Sequence, residues 1–181
     1  MKDFIYAEMM VHIPVCTSKE AKNILIISDK PEKLALESSR HSDSEVTIIS
    51  CNLNEVSSLP DVTYDVVISE MASDRVFFAQ INRILKNDGQ FVTTHPVLDD
   101  IEANKILMMM LASYFKIIMP YNIGDGTTAL FCSKEYHPTA DINLQRSDMI
   151  DGLSYYNCDI HPAAFAMGNY IRKAYLGIIK N

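Results

Sequence analysis

Glu70 stands at the end of the strand-like run Tyr64-Asp65-Val66-Val67-Ile68-Ser69, and an acid at the carboxyl end of a strand is a candidate catalytic group. Asp74 opens the apolar-periodic stretch that follows and reads as a helix N-cap. Tyr155 and Tyr156 form a pair ahead of His161-Pro162, where a helix begins. Asp125, between Gly124 and Gly126, is most simply a turn residue. His12 and His95 have no partner implied by spacing and read as structural. Cys16, Cys51, Cys132 and Cys158 show no C-x-x-C spacing and no histidines at metal-ligand intervals, so they read as reduced thiols in or near the core, and no metal or prosthetic group is expected. The net charge of -7 suits a cationic substrate, because acidic clefts concentrate cations. It argues against a partner whose phosphates would call for clustered Lys and Arg.

These groups need a scaffold, and strand-like runs alternating with helix-like ones predict a parallel sheet wrapped by helices. Residues 23–28 form a continuous apolar run, as expected of a central strand buried on both faces. Runs 45–50, 64–69 and 89–94 follow. A helix is expected from about 74 to 85, stopped by Lys86-Asn87-Asp88-Gly89, and another from about 99 to 113. Runs 114–119 and 128–133 read as closing strands, an antiparallel pair around a loop at 120–127. A last helix is expected from Pro162 to about Ile179, and an opening one over 4–12 that leads through Pro14 to the first strand. The fold expected is α/β, a Rossmann-like doubly wound sheet with its site at the carboxyl ends of the first three strands. The most apolar window, 106–112, is far below the ~18 residues of a membrane span. The first residues carry no export pattern, so a cytoplasmic protein is expected.

The run Tyr155-Tyr156-Asn157-Cys158-Asp159-Ile160-His161-Pro162-Ala163-Ala164-Phe165 resembles the carboxyl-terminal signature of the spermidine synthase family, approximately Y-Y-N-x-x-I/V-H-x-A-A-F. Tyr6-Ala7-Glu8-Met9-Met10-Val11-His12-Ile13-Pro14 is similar to that family's Y-x-E-M-x-x-H-x-P segment, Asp88-Gly89-Gln90-Phe91-Val92 to its D-G-x-F-V, and Ser133-Lys134 to the S-K ending its last strand. Residues 94–98 and the Met119-Pro120-Tyr121 turn look most like the divergent epsilon-proteobacterial members. The resemblance implies a methyltransferase-like nucleoside-binding domain spanning 1–181, without the family's small N-terminal β domain and shortened between the second and third strands. It also implies transfer of the aminopropyl group of decarboxylated S-adenosylmethionine, as co-substrate, to putrescine, and a possible homodimer.

Carried over residue by residue, the resemblance makes Glu70 the amine-orienting base, standing first in Glu70-Met71-Ala72-Ser73-Asp74 where the family has D-S/T-x-D-P. Asp74 falls one residue late for the second acid. Tyr6, Tyr155 and Tyr156 match tyrosines near the diamine, and His161 reads as a residue that caps or orients the last helix. The family's glycine-rich first loop is replaced by Ser28-Asp29-Lys30-Pro31-Glu32-Lys33, where Asp29 is the remaining acid for the co-substrate's amine, and Ser50 stands where an acid normally grips the ribose. These losses leave two rivals: a non-catalytic homologue that binds a polyamine or a partner chain, and a small-molecule methyltransferase of the same architecture.

Overall fold

The computed structural model describes residues 3–72 and 74–181. Six strands form one sheet in the order β2-β1-β3-β4-β6-β5, with β1 Asn23–Ile27, β2 Glu45–Ile49, β3 Tyr64–Ser69, β4 Leu85–Thr93, β5 Ile117–Asn122 and β6 Thr128–Ser133. The first four are parallel neighbours, and β6 runs antiparallel between β4 and β5. The sheet is therefore of the methyltransferase type. The chain passes from β1 outward to β2 and returns past β1 to β3, so the topological switch point lies between β1 and β3.

Two layers of helices cover the sheet because its side chains alternate in direction. Ile24 and Ile26 of β1, with Val66 and Ile68 of β3, pack into one cluster with Met9, Met10 and Ile13 of α1 (Asp3–Thr17) and Leu34 of α2 (Glu32–Ser38). Leu25, Ile27 and Val67 point the other way. They meet Val56 of α3 (Leu53–Ser58), Phe77, Phe78 and Ile81 of α4 (Arg75–Ile84), and Met108 and Leu111 of α5 (Ile101–Leu111). Both faces of the central strands are thus buried, as their unbroken apolar runs predict. α3 is the whole crossover between the second and third strands, and β2 is left as a half-exposed edge.

Four boundaries differ from the sequence expectation. α1 continues through Pro14 to Thr17, although an interior proline forfeits a helix bond at a cost of about 3 kcal/mol. Its inner residues Met9, Met10, Val11, Ile13, Val15 and Cys16 are wholly buried, and the Arg146 guanidinium gathers the carbonyls of Val15, Ser18, Lys19 and Glu20 at its end. Lys86-Asn87-Asp88-Gly89 does not follow the helix as a loop but sits within β4, where the register slips between Tyr64/Leu85 and Val66/Gln90. β5 is displaced to Ile117–Asn122, taking in Pro120; an edge strand tolerates proline because its outer donors have no strand to meet. The last helix is broken into α7 Ile160–Ala163 and α8 Asn169–Ala174, after α6 Leu144–Asp148. The Asn122 amide takes the carbonyls of Ala164 and Ala166, and Gly168 restarts the helix. No helix among the described residues is long and apolar enough to cross a membrane.

Candidate active site

The first loop and the third strand meet at the switch point. Glu70 N–H donates to Ile27 O at 2.9 Å, extending the β1–β3 ladder by one step and fixing where the carboxylate begins. The buried Ser28 hydroxyl donates to Glu70 Oε2 and accepts Lys30 N–H at 3.0 Å. The Tyr6 phenol belongs to the same cluster. Its pKa is driven far above the usual value, first by burial, then by the charge of Glu70, hydrogen bonding to that side chain, and the charge of Asp125. Tyr6 therefore remains a neutral donor beside Glu70.

Asp29 and Ser50 build the outer side of this crevice. Asp29 Oδ1 accepts Cys51 N–H at 2.9 Å, tying the first loop to the end of β2. Burial, then the Asp29 charge, push the Cys51 thiol upward, away from thiolate chemistry. The Ser50 hydroxyl donates to Glu55 Oε1 and its N–H to Oε2, so α3 delivers a carboxylate to the strand end that itself lacks one. With no glycine in the first loop, backbone approach is narrower there. The carboxylates of exposed Asp29 and half-buried Glu55 and Glu70 nevertheless fit a cationic co-substrate.

Asp74 is exposed and accepts Phe77 N–H at 2.8 Å, the N-cap its place ahead of α4 predicts. Ser73, beside it, lies outside the described residues. Asp125 closes a turn by accepting the N–H and hydroxyl of Thr127.

The paired tyrosines diverge. Tyr155 is half-buried and packs on Gly124, where a Cβ would lie 2.0 Å from the phenol oxygen, and Gly124 holds φ +98°. Tyr156 is only 2% exposed, and its hydroxyl lies 2.7 Å from His161 Nδ1. The Thr17 hydroxyl donates to Ile13 O at 2.8 Å, so its oxygen is left to accept from His161 Nε2 at 3.3 Å. That makes Nε2 the protonated nitrogen and Tyr156 the donor to Nδ1. Burial lowers the His161 pKa to about 4, which suits a structural histidine and not a base near neutrality. Tyr6 thus borders Glu70 and Asp125, and Tyr155 packs on Gly124, the residue before Asp125, while Tyr156 belongs to the core.

Spacing gave no hint of several partners. His12 is wholly buried between His41, 3.0 Å from its Nδ1, and Glu37, 3.2 Å from its Nε2. His95 donates from Nδ1 to Asn104 Oδ1 at 2.7 Å, because the Asn104 amide nitrogen is spent on the carbonyls of Pro96, Val97 and Asp100. Its Nε2 accepts the Thr128 hydroxyl at 2.9 Å. His95 lines a cavity of about 350 Å³ with Met71, Thr94, Leu107 and Met110, at the carboxyl ends of β3 and β4.

No family model matches the chain. The polyamine aminopropyltransferase of Helicobacter acinonychis (strain Sheeba) is 26% identical over 199 residues, covering 92% of this chain and 75% of that protein. The chain is a relative of the polyamine aminopropyltransferases. The polyamine aminopropyltransferase of Clostridium beijerinckii is 25% identical over 225 residues, covering 97% of this chain and 79% of its own length. Among solved structures, spermidine synthase from Thermotoga maritima superposes with a TM-score of 0.84 at 23% identity, over 98% of this chain and 75% of that one. At that identity the likeness speaks for the fold. The polyamine aminopropyltransferases thus match nearly the whole chain, while the chain spans three quarters or slightly more of theirs.

Proposed function

We propose that this chain transfers the aminopropyl group of decarboxylated S-adenosylmethionine to putrescine, giving spermidine and methylthioadenosine. The observation that carries the reading is Glu70, held at the switch point by Ser28 and bordered by a neutral Tyr6. An amine is mostly protonated near neutrality, so it must be held as a cation and then relieved of a proton before it attacks. Glu70 serves both ends: it draws the ammonium in and takes its proton, which frees the lone pair that then forms the new C–N bond. The co-substrate supplies a carbon activated by its sulfonium. The C–S electron pair returns to sulfur, which leaves as a neutral thioether.

The surrounding groups divide the work of holding the two substrates. Tyr6, Tyr155 and Asp125 border the amine, and Asp74 keeps one carboxylate oxygen beyond its capping bond for the distal ammonium. Asp29 meets the amino end of the co-substrate. Ser50 presents the Glu55 carboxylate toward the ribose hydroxyls. Tyr156 acts from the core by fixing the turn that carries Tyr155.

The glycine-free loop favours a second reading, a homologue that binds a polyamine without transfer. Incubation of the protein with putrescine and decarboxylated S-adenosylmethionine, followed by mass spectrometry, separates the two. Spermidine and methylthioadenosine in equal amounts support transfer; calorimetric putrescine binding without product supports the second reading.

A further inference from the structure

Glu8 is a buried carboxylate, 1% exposed, in the middle of α1. Burying a charge is costly unless it is fully hydrogen-bonded. Here the partners are three consecutive backbone N–H groups. Ser154 N donates to Oε1 at 2.9 Å, and Tyr155 N and Tyr156 N donate to Oε2 at 2.8 Å each. The turn that carries both tyrosines is wrapped around one side chain 146 to 148 residues away in the chain. The neighbouring groups are otherwise accounted for: the Tyr156 phenol by His161, and the Tyr155 ring by its packing on Gly124.

We infer that Glu8 is a positioning residue that sets Tyr155 against the Gly124-Asp125-Gly126 loop and so fixes one wall of the amine site. The inference rests on the amine-binding reading above. Three parallel N–H bonds to one carboxylate fix the direction of the backbone at 154–156, which a single bond leaves free to rock. A backbone so fixed gives the Tyr155 side chain one approach to Gly124. Because Tyr6 lies on the same helix as Glu8, the clamp also links the helix that carries Tyr6, beside Glu70 and Asp125, to the turn that sets Tyr155 on Gly124. Truncation would leave the N–H groups of Ser154, Tyr155 and buried Tyr156 without this acceptor. The isosteric amide keeps one acceptor oxygen but turns an NH₂ toward at least one of the donors.

The test uses Glu8→Gln, chosen to preserve volume and folding, with Tyr155→Ala and the double variant. The first readout is the NMR shift of the Gly124 α protons, which the overlying Tyr155 ring displaces. Glu8→Gln is expected to move it most of the way to its value in Tyr155→Ala; an unchanged shift overturns the inference. The second readout is the putrescine Kd by calorimetry in the presence of methylthioadenosine. Glu8→Gln is expected to weaken it about tenfold, with no further loss on the Tyr155→Ala background. A full additional loss in the double variant overturns action through Tyr155. Failure of the parent protein to bind putrescine, with the Gly124 shift still responding, sinks the functional reading and leaves Glu8 as the residue that places Tyr155.

Discussion

The Ser28 hydroxyl donates to Glu70 Oε2 across the gap between the first and third strands. That contact places a carboxylate where doubly wound sheets bind their ligands, without the glycine-rich loop that usually shapes the place. Its origin is local. The β1–β3 pairing sets Ile27 opposite Ser69, so the next residue of each strand emerges side by side.

Ser28→Ala removes one of the groups that direct Glu70. Steady-state formation of methylthioadenosine is expected to fall about tenfold in kcat, and folding stability to drop by no more than the about 1.5–3 kcal/mol that a hydrogen bond to a charged group contributes. An unaltered kcat shows that Glu70 needs no such orientation.

Gly124→Ala places a methyl group 2.0 Å from the Tyr155 phenol oxygen and a Cβ at φ +98°. The backbone strain alone costs on the order of 1–3 kcal/mol, and Tyr155 must move. Denaturant unfolding should show that loss, and the KM for putrescine should rise more than kcat falls. An alanine variant as stable as the parent contradicts the packing.

The two tyrosines should separate cleanly. Tyr156→Phe strips the donor from buried His161 and should cost about 1–3 kcal/mol of stability with the KM for putrescine little changed. Tyr155→Ala should leave stability closer to the parent and raise that KM. The opposite pattern contradicts the assignment of Tyr156 to the core.

Burial lowers His161 to about 4 and, with the nearby His12 and Arg146, His41 to about 3, both below the usual histidine value. Such groups take up protons on unfolding, so their contribution to stability is complete above about pH 6.5 and is lost as pH falls toward the folded-state values. Each contributes a slope of at most about 1.4 kcal/mol per pH unit over that window. Unfolding free energies measured between pH 8 and pH 5 should decline accordingly, and His161→Gln should flatten the decline. A pH-independent stability across that range contradicts neutral burial of these rings.

The strands were legible because 24–27 and 66–68 are unbroken apolar runs, as a sheet covered on both faces demands. Glu70 was legible from its place at a strand end, and the Asp74 cap from the apolar period that follows it. Tertiary burial hid the rest. Pro14 and Pro120 look like boundaries in the sequence, yet one lies inside a buried helix and the other inside an edge strand. Glu8, Glu55 and Asn104 act through backbone or side chains that folding alone brings near. The break at 166–168 depends on Asn122, more than 40 residues away in the chain.

The most direct test compares the parent protein with Glu70→Gln, each given decarboxylated S-adenosylmethionine and putrescine at saturating concentration, with products counted by mass spectrometry. Spermidine and methylthioadenosine are expected in equal amounts from the parent and at least a hundredfold less from the variant, the usual scale for a lost acid–base group. A variant as productive as the parent contradicts the role of Glu70, and a parent that yields neither product contradicts aminopropyl transfer by this chain.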